Sequence, residues 1–337
     1  MKEQGRRTLL MALRVLVSVT LLAYLVREVD PAQLLVAWQT IILPFVLLAA
    51  GLQLLGVLIN ALKWWVLIRS SGQHVSYPWT VRTYFIGQFF SNFLPTMIGG
   101  DAVRMYQLNL RIRQPSIAVA SVFVERLTGF VALNVIAITA LQLSIERFAD
   151  APELYRAAIG CIAVASAGLL LALCAAPLTR LLGHLYLPNM FNWRGKLELI
   201  AQSLASYYAS RGSLALALLL SSAYQLVWIG SNYALARALR IDVSLAFMAL
   251  MVPISDIIGL IPIFLNNLGA REGTFVVLLG QLDITKEVAL SLAFLIFVVR
   301  MAVSVAGGLL YILSGLADIA PVIGQDRPID TTLTGKP

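Results

Sequence analysis

Apolar residues run along this chain in blocks longer than one face of a soluble helix needs. They cover residues 9–26, 41–67, 117–143, 157–176, 213–235, 243–260 and 288–313, with few polar interruptions. A helix rises about 1.5 Å per residue, so about 20 apolar residues cross the ~30 Å hydrocarbon core of a bilayer. The blocks predict helices solvated by lipid. In that solvent each backbone polar group must be satisfied within the fold, so the expected class is all-α.

Two segments break the pattern. Residues 79–108, WTVRTYFIGQFFSNFLPTMIGGDAVRMYQL, and residues 260–279, LIPIFLNNLGAREGTFVVLL, both run apolar, proline, apolar, glycine, arginine, apolar. Pro95, Gly99, Gly100 and Arg104 mark the first break, and Pro262, Gly269 and Arg271 the second. Irregular backbone at membrane depth survives only when it is buried in protein or lines a cavity. A pair of such breaks in corresponding parts of two halves points to a transporter site. The plainer reading is two interfacial loops between ordinary helices. The expected architecture is therefore a polytopic helical membrane protein with seven to eight transmembrane helices plus two broken or re-entrant segments. Residues 1–315 would form one membrane domain, followed by a short polar tail over 316–337.

Composition supports lipid as the solvent. The chain is 59% hydrophobic and 12% charged, with a mean hydropathy of +0.84, more apolar surface than a soluble fold can hide. The net charge of +8 is not a nucleic-acid signal, because the basic residues sit in short loops rather than one patch. Lys2, Arg6 and Arg7 precede the first block, Arg69, Arg82, Arg111 and Arg113 flank the second and third, and Arg180, Arg194, Lys196 and Arg211 follow the fourth. The intervening loops are mixed in sign, which predicts a cytoplasmic N-terminus. The basic start and apolar run at the N-terminus read as a retained anchor, since no small-x-small cleavage site follows. Trp64 and Trp65, beside Lys63, read as an interfacial anchor, and residues 181–211 as an amphipathic surface helix. Cys161 and Cys174 lie about 20 Å apart along one helix, too far for a disulfide, and no Cys/His cluster has metal spacing. No metal or other cofactor is expected. No G-x-S-x-G, H-E-x-x-H or Walker sequence occurs, so the reading is not an enzyme.

The candidate chemistry lies in charges placed where lipid is expected. Arg300 sits within SLAFLIFVVRMAVSVAGGLL, Asp256 within MVPISDIIGL, and Glu125 and Arg126 within SVFVERLTGF. An arginine at mid-membrane costs about 2.5–3.5 kcal/mol or more unless it is paired or hydrated. Either Arg126 and Arg300 pair with Glu125 or Asp256 to hold helices in register, or they line a path for a charged headgroup. At the first break Asp101 is placed to cap a helix, with Arg104 one turn along. Glycine-freed amides at a helix start and an arginine together suit an anion. The second break repeats the idea with Asn266, Asn267, Gly269, Arg271 and Glu272. The candidate headgroup-binding residues are thus Gly99, Gly100, Asp101, Arg104, Arg126, Asn266, Asn267, Gly269, Arg271 and Arg300. Glu125, Asp256 and Glu272 serve as counter-ions, and Pro95 and Pro262 as hinges.

The stretches FFSNFLPTMIGGDAVRMYQL, SVFVERLTGFVAL and VPISDIIGLIPIFLNNLGAREGTFVVLL resemble the lysylphosphatidylglycerol synthase transmembrane region family, also called flippase-like domain proteins. The likeness runs from the first block to the last. It implies motif status for Pro95, Gly99, Gly100, Asp101, Arg104, Glu125, Arg126, Gly129, Pro262, Gly269, Arg271 and Glu272. In multidomain relatives this region precedes a soluble aminoacyltransferase and is held to flip the lipid. That soluble domain is not expected here. The resemblance implies a multi-pass protein of the bacterial inner membrane that binds or translocates a phospholipid, polyprenyl-linked or other envelope lipid. A membrane-embedded lipid-modifying enzyme and an accessory subunit of an envelope glycosyltransferase are the competing readings. Membrane lipids are the expected partners, with an envelope glycosyltransferase or lipid-synthesis enzyme as a candidate protein partner and no nucleic acid. An oligomer is compatible with the sequence.

Overall fold

The computed structural model describes residues 38–93, 99–143, 152–174, 207, 210–261 and 267–318. Among them the elements are α1 (Leu43–Ser70), α2 (Tyr77–Phe93), α3 (Gly99–Ile112), α4 (Pro115–Leu143), α5 (Pro152–Leu173), α6 (Arg211–Ala238), α7 (Leu245–Gly259), α8 (Ala270–Gly280) and α9 (Lys286–Asp318). No strand occurs among the described residues, so the all-α expectation holds there.

Among the described residues four helices are long and apolar enough to cross a bilayer: α1, α4, α6 and the Lys286–Leu313 part of α9. The apolar stretches Tyr155–Leu170 of α5 and Leu245–Gly259 of α7 are shorter than a crossing. The sequence blocks 157–176 and 243–260 fall on these two stretches, and α5 as a whole runs for 22 residues. The bounds of α7 are set locally. Ser244 caps the helix by accepting a hydrogen bond from Phe247 N–H, and the helix stops at Gly259, three residues before Pro262. The block 9–26 and most of the proposed amphipathic segment 181–211 lie outside the described residues.

The bundle is apolar outside and polar within. On α1, Leu43, Leu47, Leu54 and Leu58 are exposed, while Gln53, Asn60 and Lys63 are buried. The two sets fall on different faces because a helix turns 100° per residue. Helices α1 and α6 form the most extensive pairing, joined by Ser231 Oγ donating to the Ala49 carbonyl at 3.1 Å. The larger apolar core gathers side chains from α1 and α4 to α9. A second core joins α1 to α4 around Trp64, Tyr84, Leu108 and Val122.

Helix α2 is gripped from both sides by glycines. A Cβ at Gly100 would collide with the Gly87 carbonyl oxygen and Ser91 Oγ, and one at Gly307 with the Phe85 carbonyl oxygen. Backbone therefore packs on backbone at the α2–α3 and α2–α9 crossings, as small residues permit inside membranes.

Candidate functional site

The close α2–α3 crossing determines what Arg104 can reach. Its Cγ lies 2.6 Å from where a Cβ at Gly87 would stand, so only glycine lets the arginine stem pass over α2 into the bundle. There Arg104 is 2% exposed and stacks on the rings of Tyr84 and Trp64, at 4.4 and 5.0 Å from their centroids. Its Nη1 donates to Glu125 Oε2 at 2.6 Å and its Nη2 to Asp101 Oδ1 at 2.7 Å.

The carboxylates extend this pair into a network. Glu125 Oε1 accepts from the Tyr84 hydroxyl at 3.0 Å and faces Lys63 Nζ at 3.7 Å. Asp101 is held side-on by Arg126, through Nε at 2.9 Å and Nη2 at 2.8 Å. Three cations meet two carboxylates, leaving one excess positive charge. Lys63, Arg104 and Glu125 have side chains 3% exposed, whereas that of Arg126 is 57% exposed, so Arg126 is the accessible edge of the network.

A second charged group forms where α7, α8, α9 and α6 meet. Helix α8 begins after Gly269, whose φ of 84° suits glycine, and Glu272 Oε2 accepts from the Gly269 N–H at 2.6 Å. Asn267, also at positive φ, is buried and sits directly against Gly259. Arg271 is 4% exposed, and it and Arg300 act electrostatically on Asp256 and on each other. Asp256 Oδ2 accepts from Trp228 Nε1 at 3.0 Å. Arg300 differs from every cation of the first network. Its Nε and Nη2 are buried without a hydrogen-bond partner among the described residues.

The structure thus brings the sequence candidates into two groups. Gly99, Gly100, Asp101, Arg104, Glu125 and Arg126 belong to the first, and Asp256, Asn267, Gly269, Arg271, Glu272 and Arg300 to the second. Pro95, Pro262 and Asn266 lie outside the described residues. Helices α3 and α8, which carry the two motifs, make no extensive contact with each other. Tyr224 of α6 links the groups, since it feels the charges of Asp256 and Arg300 as well as Arg126 and Glu125.

Three expectations change. Asp101 is not a cap: α3 begins at Gly99, and the Asp101 carboxylate is occupied by two arginines. The carboxylate partner of Arg126 is Asp101 rather than Glu125 or Asp256, because neighbouring residues on a helix point 100° apart. Trp64 is no interfacial anchor. It is fully buried, with Nε1 donating to Ser121 Oγ at 3.1 Å, while Trp65 stays near the helix end under Arg69.

Tyr84, Trp228 and Tyr224 escaped the sequence reading, and Lys63 entered it only beside the interfacial anchor. The signal for Lys63 was present, since Gln53, Asn60 and Lys63 recur at helical spacing on one face of an apolar span. For Tyr84, Tyr224 and Trp228 no comparable signal exists, because aromatic residues in a span are ordinary packing.

The first network ties α1, α2, α3 and α4 together through ion pairs and hydrogen bonds among its own residues. In the second, two nitrogens of the Arg300 guanidinium are buried without a hydrogen-bond partner among the described residues. No three His, Cys, Asp or Glu side chains come together as a metal site among the described residues. The family model described as lysylphosphatidylglycerol synthase TM region matches residues 11–308. No curated protein matches the chain.

Proposed function

The chain belongs to the lysylphosphatidylglycerol synthase TM region family of flippase-like, multi-span membrane proteins, and from that premise we propose that Arg271 and Arg300 receive an anionic lipid headgroup. The carrying observation is Arg300, with two guanidinium nitrogens buried and unpartnered among the described residues, in the same group as a second buried arginine. Asp256 and Glu272 balance the two arginines in charge, Glu272 while also accepting from the Gly269 N–H. A phosphate would supply the acceptors that Arg300 Nε and Nη2 lack among the described residues. A scaffold has no need of such a group, and a lipid-modifying enzyme would need titratable groups converging on a reacting atom.

In this reading Arg104, Asp101, Glu125 and Lys63 lock the helices, and Arg126 offers the accessible edge at which a headgroup is first met. Seven to eight crossings with two broken segments, within a single membrane unit over 1–315, accommodate the apolar blocks 9–26, 157–176 and 243–260 as well as the four span-length helices. The N-terminus lies on the cytoplasmic side of the inner membrane, as the loop charges argue. The lipid exchanges between leaflets without nucleotide hydrolysis, in step with an envelope glycosyltransferase or lipid-synthesis enzyme that supplies or consumes it.

The test is binding of phosphatidylglycerol to the purified chain in phosphatidylcholine nanodiscs. Two charge-assisted hydrogen bonds at ~1.5–3 kcal/mol each make a loss of roughly 100-fold or more the expectation for Arg271→Gln with Arg300→Gln. Unchanged affinity in a folded double variant refutes the site.

A further inference from the structure

Arg126 is exposed in a stretch of α4 that is otherwise buried. Val124, Glu125, Leu127 and Thr128 are all buried around it. Its direction is not that of the lipid face of α4. At 100° per residue it points about 180° from exposed Val135 and about 120° from exposed Ile138. Arg126 therefore looks out on another side of α4, near the middle of a helix long enough to cross the bilayer.

Asp101 uses only one edge of this guanidinium. It accepts from Nε at 2.9 Å and from Nη2 at 2.8 Å, the side-on arrangement. The end-on edge, formed by Nη1 and the second proton of Nη2, donates to no group among the described residues. The charges single out the same residue. Lys63 and Arg104 alone balance Asp101 and Glu125, so Arg126 carries the excess. Asp101 is also held without it, since Arg104 Nη2 donates to the same Oδ1 at 2.7 Å.

We propose that Asp101 is a positioning residue that pins Arg126 with its free edge outward and limits how tightly that edge holds an anionic headgroup. This rests on the reading of Arg126 as the edge at which a headgroup is first met, and adds what sets its affinity. A carboxylate on one side of the guanidinium repels an anion arriving on the other, and in a partly buried group that repulsion outweighs the benefit of a fixed fork. A group that meets a lipid in transit must also let it go, so binding there has to be favourable enough to enter and weak enough to leave. Arg300 is the contrasting case, because no carboxylate is hydrogen-bonded to its buried Nε and Nη2 among the described residues. Arg126 is thus the site of brief contact and Arg300 the site of firm hold.

The full-length protein in phosphatidylcholine nanodiscs, with phosphatidylglycerol as the anionic probe, tests this. Asp101→Asn keeps an acceptor for Arg104 and removes the charge, and should tighten phosphatidylglycerol binding roughly tenfold. Lys63→Met with Asp101→Asn leaves Arg104 and Arg126 against Glu125, the wild-type excess of one positive charge. The same tightening in that variant then comes from Arg126 and not from the overall field. Neither gain should survive the addition of Arg126→Gln. In liposomes the tighter variants should exchange lipid more slowly by a similar factor, because tighter binding is mostly slower release. A purely structural Asp101 predicts that binding and exchange are lost together. Equal or weaker binding in the folded variants overturns the inference and leaves Arg126 as an untempered contact. A gain that persists without Arg126 overturns it too. If neither variant folds, although one keeps the wild-type charge excess, Asp101 is a structural counter-ion only and the inference falls. Failure of the wild type to bind phosphatidylglycerol removes the anion reading itself.

Discussion

Glu125→Gln tests the first charged network most sharply. The change keeps the side-chain shape and removes one charge, leaving Lys63, Arg104 and Arg126 facing Asp101 alone. The excess positive charge rises from one to two in surroundings where Lys63, Arg104 and Glu125 are 3% exposed. The lost partner accepts from Arg104 at 2.6 Å and from Tyr84 at 3.0 Å. Removing one member of a buried pair costs ~3–5 kcal/mol, whereas an exposed pair is worth under about 1 kcal/mol. At 1.4 kcal/mol per tenfold, the folded-to-unfolded ratio should fall by roughly 150- to 4,000-fold. Unfolding by denaturing detergent, followed by tryptophan fluorescence, reads this, because Trp64 stacks on Arg104 within the network. Adding Lys63→Met restores the original charge excess and should recover part of the loss, giving a coupling of about 0.5–3 kcal/mol between residues in contact. A loss below about 1 kcal/mol for Glu125→Gln in a folded protein would refute the claim that the network is buried and structural.

Gly100→Val should prevent folding rather than block a ligand, because its side chain would collide with Gly87 and Ser91 of α2; a well-folded variant with normal melting would contradict the close crossing. Trp228→Phe removes the hydrogen bond to Asp256 and should destabilise by ~1.5–3 kcal/mol, read in the same detergent titration; no change would mean that Asp256 has another partner. In a chain whose only cysteine is introduced at Gln4 or Gln202, impermeant thiol reagents should fail to label intact cells, and efficient labelling of both would reverse the orientation.

The membrane class and the positions of the long helices were legible in the sequence because apolar block length is a direct reading of the solvent. Helices α1, α4, α6 and α9 fall within a few residues of the blocks that predicted them. The charged residues that matter were legible for the same reason, since Arg104, Glu125, Arg126, Asp256 and Arg300 are expensive where they stand. Their pairings were not. Asp101 and Arg126 are 25 positions apart, and only the packing of α3 on α4, a tertiary event, brings them together. Lys63 was misread because a lysine beside two tryptophans also describes a membrane-interface anchor, and only burial separates the cases. The bounds of α7 were not legible, because hydropathy does not register a cap such as Ser244 or a helix stop at Gly259.

The most direct test of the account is leaflet exchange by the purified protein in liposomes, read as the accessibility of fluorescent phosphatidylglycerol to an impermeant quencher chemical. The account predicts that wild-type protein makes the inner-leaflet lipid accessible, and that folded Arg271→Gln with Arg300→Gln falls to the rate of protein-free liposomes. Exchange at the wild-type rate in that double variant would contradict the claim that these two arginines hold the headgroup on its way across.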